Sequence, residues 1–346
     1  MMTTLSSVES QWAIVLADDH EAQSATSREP RGVPIQYRSP DEGMPLLQRA
    51  LRRAISVAPA SQILITALHE HREYWQPLAW FVRAAHRFLC GHRSALPLCT
   101  ASAILRIAEH SPWATVTVLP ARCYVAHEWI LKSALIRALA ELPNTREGII
   151  TLGMRDIEES LDEDFLIVSR SSEDRGLRVD GYVRRPVPWV AAHVKREGAL
   201  VASGILVGYA NAFASYIFRV WPELSSKLRQ LTSSSVRNGL ECELPAELLR
   251  QHSALRFRAL SWRPPLLPQR VLAVSRSGWN GLKTPRATAR LAEFQASLIP
   301  DSPDRSAALH YFAELAAANT AIIGADTARS PDRPSANCCV YDGTAI

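Results

Sequence analysis

The sequence predicts an α/β fold, a mainly parallel, Rossmann-like sheet with helices on both faces, and three observations point there. Short apolar runs recur at 12–17, 62–66, 115–119, 149–152, 166–168, 179–183 and 205–207. Segments with helical spacing fall between them, the alternation of βα units. Most of the runs are predominantly apolar, as strands of a sheet covered on both faces are. With 346 residues the chain can bury a large core.

Each element has its own signal. Trp12-Ala-Ile-Val-Leu-Ala17 is apolar throughout and reads as a central strand. Residues 45–55 begin with Pro45, suited to a first helical turn, and place Leu47, Leu51, Ala54 and Ile55 on one face. Residues 128–142 repeat the pattern with Ile130, Leu131, Ala134, Leu135, Ala138 and Leu142. The stretch 199–218 carries no charge and is long enough to span a bilayer. Ser203-Gly204, Gly208 and Asn211 interrupt it, however, and divide it into a buried strand at 205–207 and a helix from about Ala210.

Beyond Leu228 prolines accumulate, with Pro264, Pro265 and Pro268 before the strand-like 271–274, which suits loops and edge strands. The expected organisation is a flexible amino terminus at 1–11, one domain over 12–295, a helical appendage at 296–323 centred on an alanine-rich helix at 305–323, and a disordered, polar tail at 324–346. No internal repeat is visible.

The net charge of +5 and pI near 9.0 are too mild to direct the chain to nucleic acid, and no dense basic run interleaves with aromatics. Lysine occurs only at Lys132, Lys195, Lys227 and Lys283, so arginine carries nearly all the positive charge. That bias favours planar, bidentate contacts to phosphate or carboxylate. Six cysteines at no zinc or redox spacing, with Cys338-Cys339 in the tail, fit thiols of a reducing cytoplasm. The first residues lack the basic and apolar regions of a secretory leader.

Several local groupings carry alternative readings. His69-Glu70-His71 closes the second strand, and alternation would put both histidines on one face as a metal pair requires, but without a third ligand nearby a polar loop is the simpler reading. The acids Glu158-Glu159 and Asp162-Glu163-Asp164 read as a solvated face rather than an acid/base pair. Cys123 beside Arg122 reads as a packed thiol, the alternative being a thiol activated by the arginine. Trp75 and Trp80, with Leu78 and Phe81, read as core or interface.

The first strand leads into Asp18-Asp19-His20-Glu21, then Ser27-Arg28-Glu29 and Pro34-Ile-Gln36. Further on stand Pro45-Leu-Leu-Gln48, His71-Arg72, Arg93-Ser-Ala-Leu-Pro97, Leu119-Pro-Ala-Arg-Cys123, Thr151-Leu-Gly153, Val183-Arg-Arg-Pro186, Ala202-Ser-Gly-Ile205 and Gly278-Trp-Asn-Gly-Leu-Lys-Thr284. In this order they resemble the motifs of the mannose-1-phosphate guanylyltransferases over roughly 12–295. The resemblance implies a nucleotide site at the positions of Asp18, Asp19, Arg28, Gln36, Arg93, Pro97 and Arg122, and a sugar site at those of Gly153, Arg184, Arg185, Ser203 and Gly204.

The departures fall on the chemistry. A glycine-rich turn lets backbone N–H groups approach phosphate, and here it is replaced by a turn bearing three carboxylates, which read as a solvated connection rather than a metal site. The loop arginine and lysine of the resemblance fall near Gln23 and at Ile35, and its Gly-Tyr-Gly-Tyr element becomes Asp162-Glu-Asp-Phe165. Its two magnesium-binding aspartates fall at Arg122 and Gly281, which cannot ligate a metal through their side chains. No catalytic residue, metal ligand or cofactor is therefore assigned. The expectation is a non-catalytic relative that binds a nucleotide sugar, GTP, a protein partner or a second copy of itself. The alternatives are an active nucleotidyltransferase with a rewired, arginine-based site, and an unrelated binding or membrane-associated protein.

Overall fold

The computed structural model describes residues 10–17, 33–41, 43–92, 96–143, 147–155, 163–170, 176–237, 240–244 and 269–282, with 231–237 described as backbone only. The strands are β1 Gln11–Leu16, β2 Ile63–Leu68, β3 Arg87–Cys90, β4 Thr115–Pro120, β5 Tyr124–Val125, β6 Ile149–Met154, β7 Phe165–Arg170, β8 Leu177–Val183, β9 Leu200–Tyr209, β10 Cys242–Glu243, β11 Gln269–Val274 and β12 Trp279–Asn280. The helices are α1 Leu46–Ile55, α2 Arg72–Leu78, α3 Leu96–His110, α4 Glu128–Ala140, α5 Pro188–Arg196, α6 Ala210–Val220 and α7 Pro222–Arg237. Every apolar run expected to be a strand is one. Residues 1–9, the 305–323 helix and the tail lie outside the described residues.

Among the described residues ten strands form one sheet in the order β10-β3-β2-β1-β4-β9-β6-β11-β8-β7. The run from β10 to β4 is parallel, as is β6 with β11. β9 enters antiparallel between β4 and β6 and also pairs with β7, and β8 is antiparallel to both its neighbours. The sheet is thus mixed, parallel through its first half. From β1 the chain winds outward through β2 and β3, then returns to place β4 on the other side of β1. In open α/β sheets that reversal opens a crevice at the carboxyl ends of the strands, here of β1 and β4.

Alternation along β1 explains the layers. Ala13 and Val15 face a core shared with α1, α2, α4 and α5, whereas Ile14 and Leu16 face one shared with α3, α6 and α7. The uncharged stretch 199–218 becomes the long strand β9 followed by α6. No helix among the described residues is long and apolar enough to cross a membrane. The helical face expected for 45–55 needs a correction: Ile55 is 49% exposed, while Arg53 is buried. The buried face runs through Leu46, Leu47, Ala50, Leu51 and Ala54, and Arg53 joins it because it finds polar partners beneath. α7 also carries helix well past Leu228, where a loop-rich stretch was expected.

Candidate functional site

Arg122 lies two residues beyond the end of β4, at the carboxyl ends of β1 and β4. Its Nε donates to the carbonyl of Leu282 at 2.7 Å. Leu282 is brought there by the small ribbon of β5 and β12, in which Trp279 pairs with Val125 and Asn280 with Tyr124. Gly278 makes the approach possible with φ of +61°, pressed against Ala126 so closely that a Cβ would lie 2.6 Å from the alanine methyl. The amide of Leu282 is itself held by Asn280 Oδ1 at 2.9 Å.

Gly281 completes this corner. A side chain there would begin 2.5 Å from Oε1 of Glu163 and 2.9 Å from the ring of Trp279. Glu163, from the segment entering β7, thus fills the space that residue 281 leaves empty. Beside it Asp164 accepts the Tyr182 hydroxyl at 2.7 Å and the backbone N–H of Arg185 at 3.0 Å. The carbonyl of Asp164 accepts the Ala202 amide at 2.8 Å. These bonds draw 163–164, the end of β8 and the start of β9 together. Arg185 has a φ of +39°, uncommon for a residue with a Cβ, and the carboxylate on its amide holds that turn.

The solvated-face reading of the acidic run fails here. Glu163 is 7% and Asp164 1% exposed; hydroxyl and amide donors from β8 offset the desolvation of Asp164. Asp162, Glu158 and Glu159 lie outside the described residues.

The expected sugar-site residues have clear local roles. Gly153 sits in β6 with a Cβ position only 2.8 Å from Leu200 and 3.0 Å from Val271, so its missing side chain lets β9 and β11 close on β6. The register of β6 against β9 shifts between Thr151 and Gly153, a bulge that Ser203 and Gly204 create. Ser203 Oγ donates to the Leu152 carbonyl at 2.6 Å and accepts the Ile205 amide at 3.0 Å, and Gly204 takes φ of +75° against Pro120. The bulge therefore touches the end of β4. Arg184 and Arg185 are half-buried at the end of β8.

Of the expected nucleotide-site residues, Gln36 is buried in a 3-10 turn, Ile35–Tyr37. Pro97 is buried in the first turn of α3. Asp18, Asp19, Arg28 and Arg93 lie outside the described residues. His69–His71 forms another 3-10 turn rather than extended strand: His71 is buried, with Tyr37 Oη 3.5 Å from its Nδ1, while His69 is exposed.

Cys123 is a packed thiol, and its arginine is Arg53, not Arg122. Burial pushes the thiol pKa up, against the lowering effect of Arg53, whose Nη1 lies 3.1 Å from Sγ. Burial works against the charge of Arg53, yet Cys123 and Glu128 together hold its pKa above the ordinary value. The Glu128 carboxylate receives Nε at 2.9 Å and Nη2 at 2.6 Å. Trp75 is fully buried, whereas Trp80 is 77% exposed.

The corner does not fit a divalent cation. Arg122 and Gly281 supply no ligand oxygen from their side chains, Asp164 is engaged by Tyr182 and Arg185, and Glu163 against Gly281 offers one carboxylate where such an ion takes several oxygens. Among the described residues no group of three His, Cys, Asp or Glu side chains stands together for a metal. Sequence reasoning missed Glu163 and Asp164. The available signal was their abutment with the apolar run of β7, which forces the preceding residues toward the interior.

No family model matches the chain, and no curated protein matches it. Among solved structures it is similar to a mannose-1-phosphate geranyltransferase from Thermus thermophilus, with 21% identity, a TM-score of 0.59 and coverage of 81% of this chain and 78% of that one. It is also similar to a mannose-6-phosphate isomerase from Helicobacter pylori, with 15% identity, a TM-score of 0.53 and coverage of 78% and 99%. At these identities the likeness concerns architecture. The chain has the α/β fold of the nucleotide-diphospho-sugar transferases.

Proposed function

We propose that this protein binds a nucleotide sugar of the GDP-mannose type at the carboxyl ends of β4 and β8 and no longer transfers a nucleotidyl group. One observation carries the reading: at the strand end where the resemblance places two metal-binding aspartates, Arg122 is tied to the Leu282 carbonyl, and Gly281 has its side-chain space filled by Glu163. Transfer to a sugar phosphate needs positive charge placed on the reacting phosphates. A guanidinium at the end of β4, with Arg184 and Arg185 at the end of β8, can hold phosphate oxygens bidentately without a metal. It supplies no ion that bridges the attacking and leaving groups.

The test is a paired assay on the purified chain. GDP-mannose is expected to raise the melting temperature, since a ligand of the folded state alone stabilises it. That shift should survive EDTA and shrink with added salt, because the contacts are partly exposed ion pairs. It should disappear in a combined Arg122→Ala, Arg184→Ala variant. With GTP, mannose 1-phosphate and Mg²⁺, pyrophosphate release is expected to stay at background. Release that depends on both substrates would overturn the loss of catalysis and favour an active, arginine-based site.

A further inference from the structure

Glu163 is the charged group of this corner that the proposed function leaves unexplained. It is 7% exposed and lies at the entrance to β7. Its Oε1 occupies the position next to Gly281 that a side chain would otherwise take, while Arg122 binds the carbonyl of the following residue, Leu282. A carboxylate and a guanidinium therefore meet the same dipeptide from two different strand ends. An anion drawn to Arg122 meets the negative charge of Glu163 at the same corner, where burial leaves the repulsion poorly screened. The repulsion grows with each further charge on the ligand.

We propose that Glu163 is a specificity-determining residue, a charge filter that admits a diphosphate esterified at both ends and turns away nucleotides with additional phosphate charge. The inference rests on the nucleotide-sugar reading above. It makes the glycine at 281 the partner of Glu163, because any larger residue would drive the carboxylate from its place. It also predicts an affinity order that runs against a simple arginine-lined anion site, where more charge binds more tightly.

Calorimetry with GDP-mannose, GDP and GTP on the full chain and on Glu163→Gln tests it. In the unaltered protein affinity should fall in that order. In Glu163→Gln, which keeps the shape and removes the charge, GTP affinity should rise about tenfold and GDP-mannose affinity much less. The order in the unaltered protein needs no variant, so a folding defect in Glu163→Gln leaves the test intact. Affinity that rises with charge in the unaltered protein overturns the proposal, as does a folded Glu163→Gln in which GTP affinity rises no more than that of GDP-mannose. If only Glu163→Gln binds, Glu163 excludes every one of these anions, and both the selective filter and the nucleotide-sugar reading fall; if the unaltered protein binds GDP-mannose but affinity rises with charge, the filter alone falls. If neither protein binds any of the three, both fall.

Discussion

Asp164 and Glu241 stand just before β7 and just before β10, the strands at the two ends of the sheet order, and each gathers two donors in a different way. Glu241 is partly solvated and lies between two guanidiniums, those of Arg72 and Arg87, with Arg87 Nη1 at 3.1 Å. Both arginines also lie over the ring of the buried Trp75, at 5.3 and 5.8 Å from its centroid. Asp164 is 1% exposed and accepts a hydroxyl and a backbone amide. One end is held by charges that water and salt can reach, the other by half-buried dipoles on a buried carboxylate. Breaking the second should cost more, because half-buried donors that lose a buried acceptor are only partly met by water.

The largest effect is therefore expected at Asp164. Asp164→Ala leaves the Tyr182 hydroxyl and the Arg185 amide without this acceptor, a loss of about 2 kcal/mol in urea denaturation, taking the low end of roughly 1–3 kcal/mol per group because both donors are half-buried. Asp164→Asn, which keeps one oxygen acceptor, should lose clearly less. If Asp164→Ala melts with the unaltered protein, the contrast between Asp164 and Glu241 is wrong.

A middle effect is expected in the bulge that carries Ala202 to the carbonyl of Asp164. Gly204 has φ of +75°, and a Cβ there would lie 3.1 Å from Pro120. Gly204→Ala should cost about 1–2 kcal/mol through backbone strain and that contact. Ala at Gly91, where nothing lies within 4 Å of the added carbon, is the control and should be nearly neutral.

The same contrast separates what the sequence announced from what it hid. β1, β2, β4, β6 and β9 are apolar runs buried on both faces, and such runs are visible one residue at a time. β3 escaped because it is four residues long and starts with Arg87; β10, β5 and β12 are two residues each and exist only through pairing. Asp164 is buried because Tyr182 and Arg185, 18 and 21 residues away, deliver donors to it. No local pattern encodes that delivery. Arg53 is hidden in the same sense: its partners Cys123 and Glu128 are 70 and 75 residues away. Ser203 and Gly204 were visible as a motif, while the bulge they make depends on the register of β6.

The smallest effect, and the one that most sharpens the comparison, belongs to Glu241. Glu241→Gln should cost under about 1 kcal/mol at neutral pH and low salt, as exposed ion pairs do, and the difference should shrink further in molar salt. Its pH dependence has a definite sign. Partial burial works against the charge, but hydrogen bonds from Arg72 and Arg87 outweigh it and hold the carboxyl below its ordinary value of 4.5. A carboxylate with a lowered folded-state pKa stabilises the protein above the unfolded value and loses that contribution as pH falls through the folded one. The unaltered protein should therefore lose stability relative to Glu241→Gln only below about pH 4.5, with the two urea midpoints converging there. A gap that stays constant from about pH 6 down to about pH 3 would show that the pair contributes through packing on Trp75 and not through charge, and Asp164 and Glu241 would then differ in burial alone.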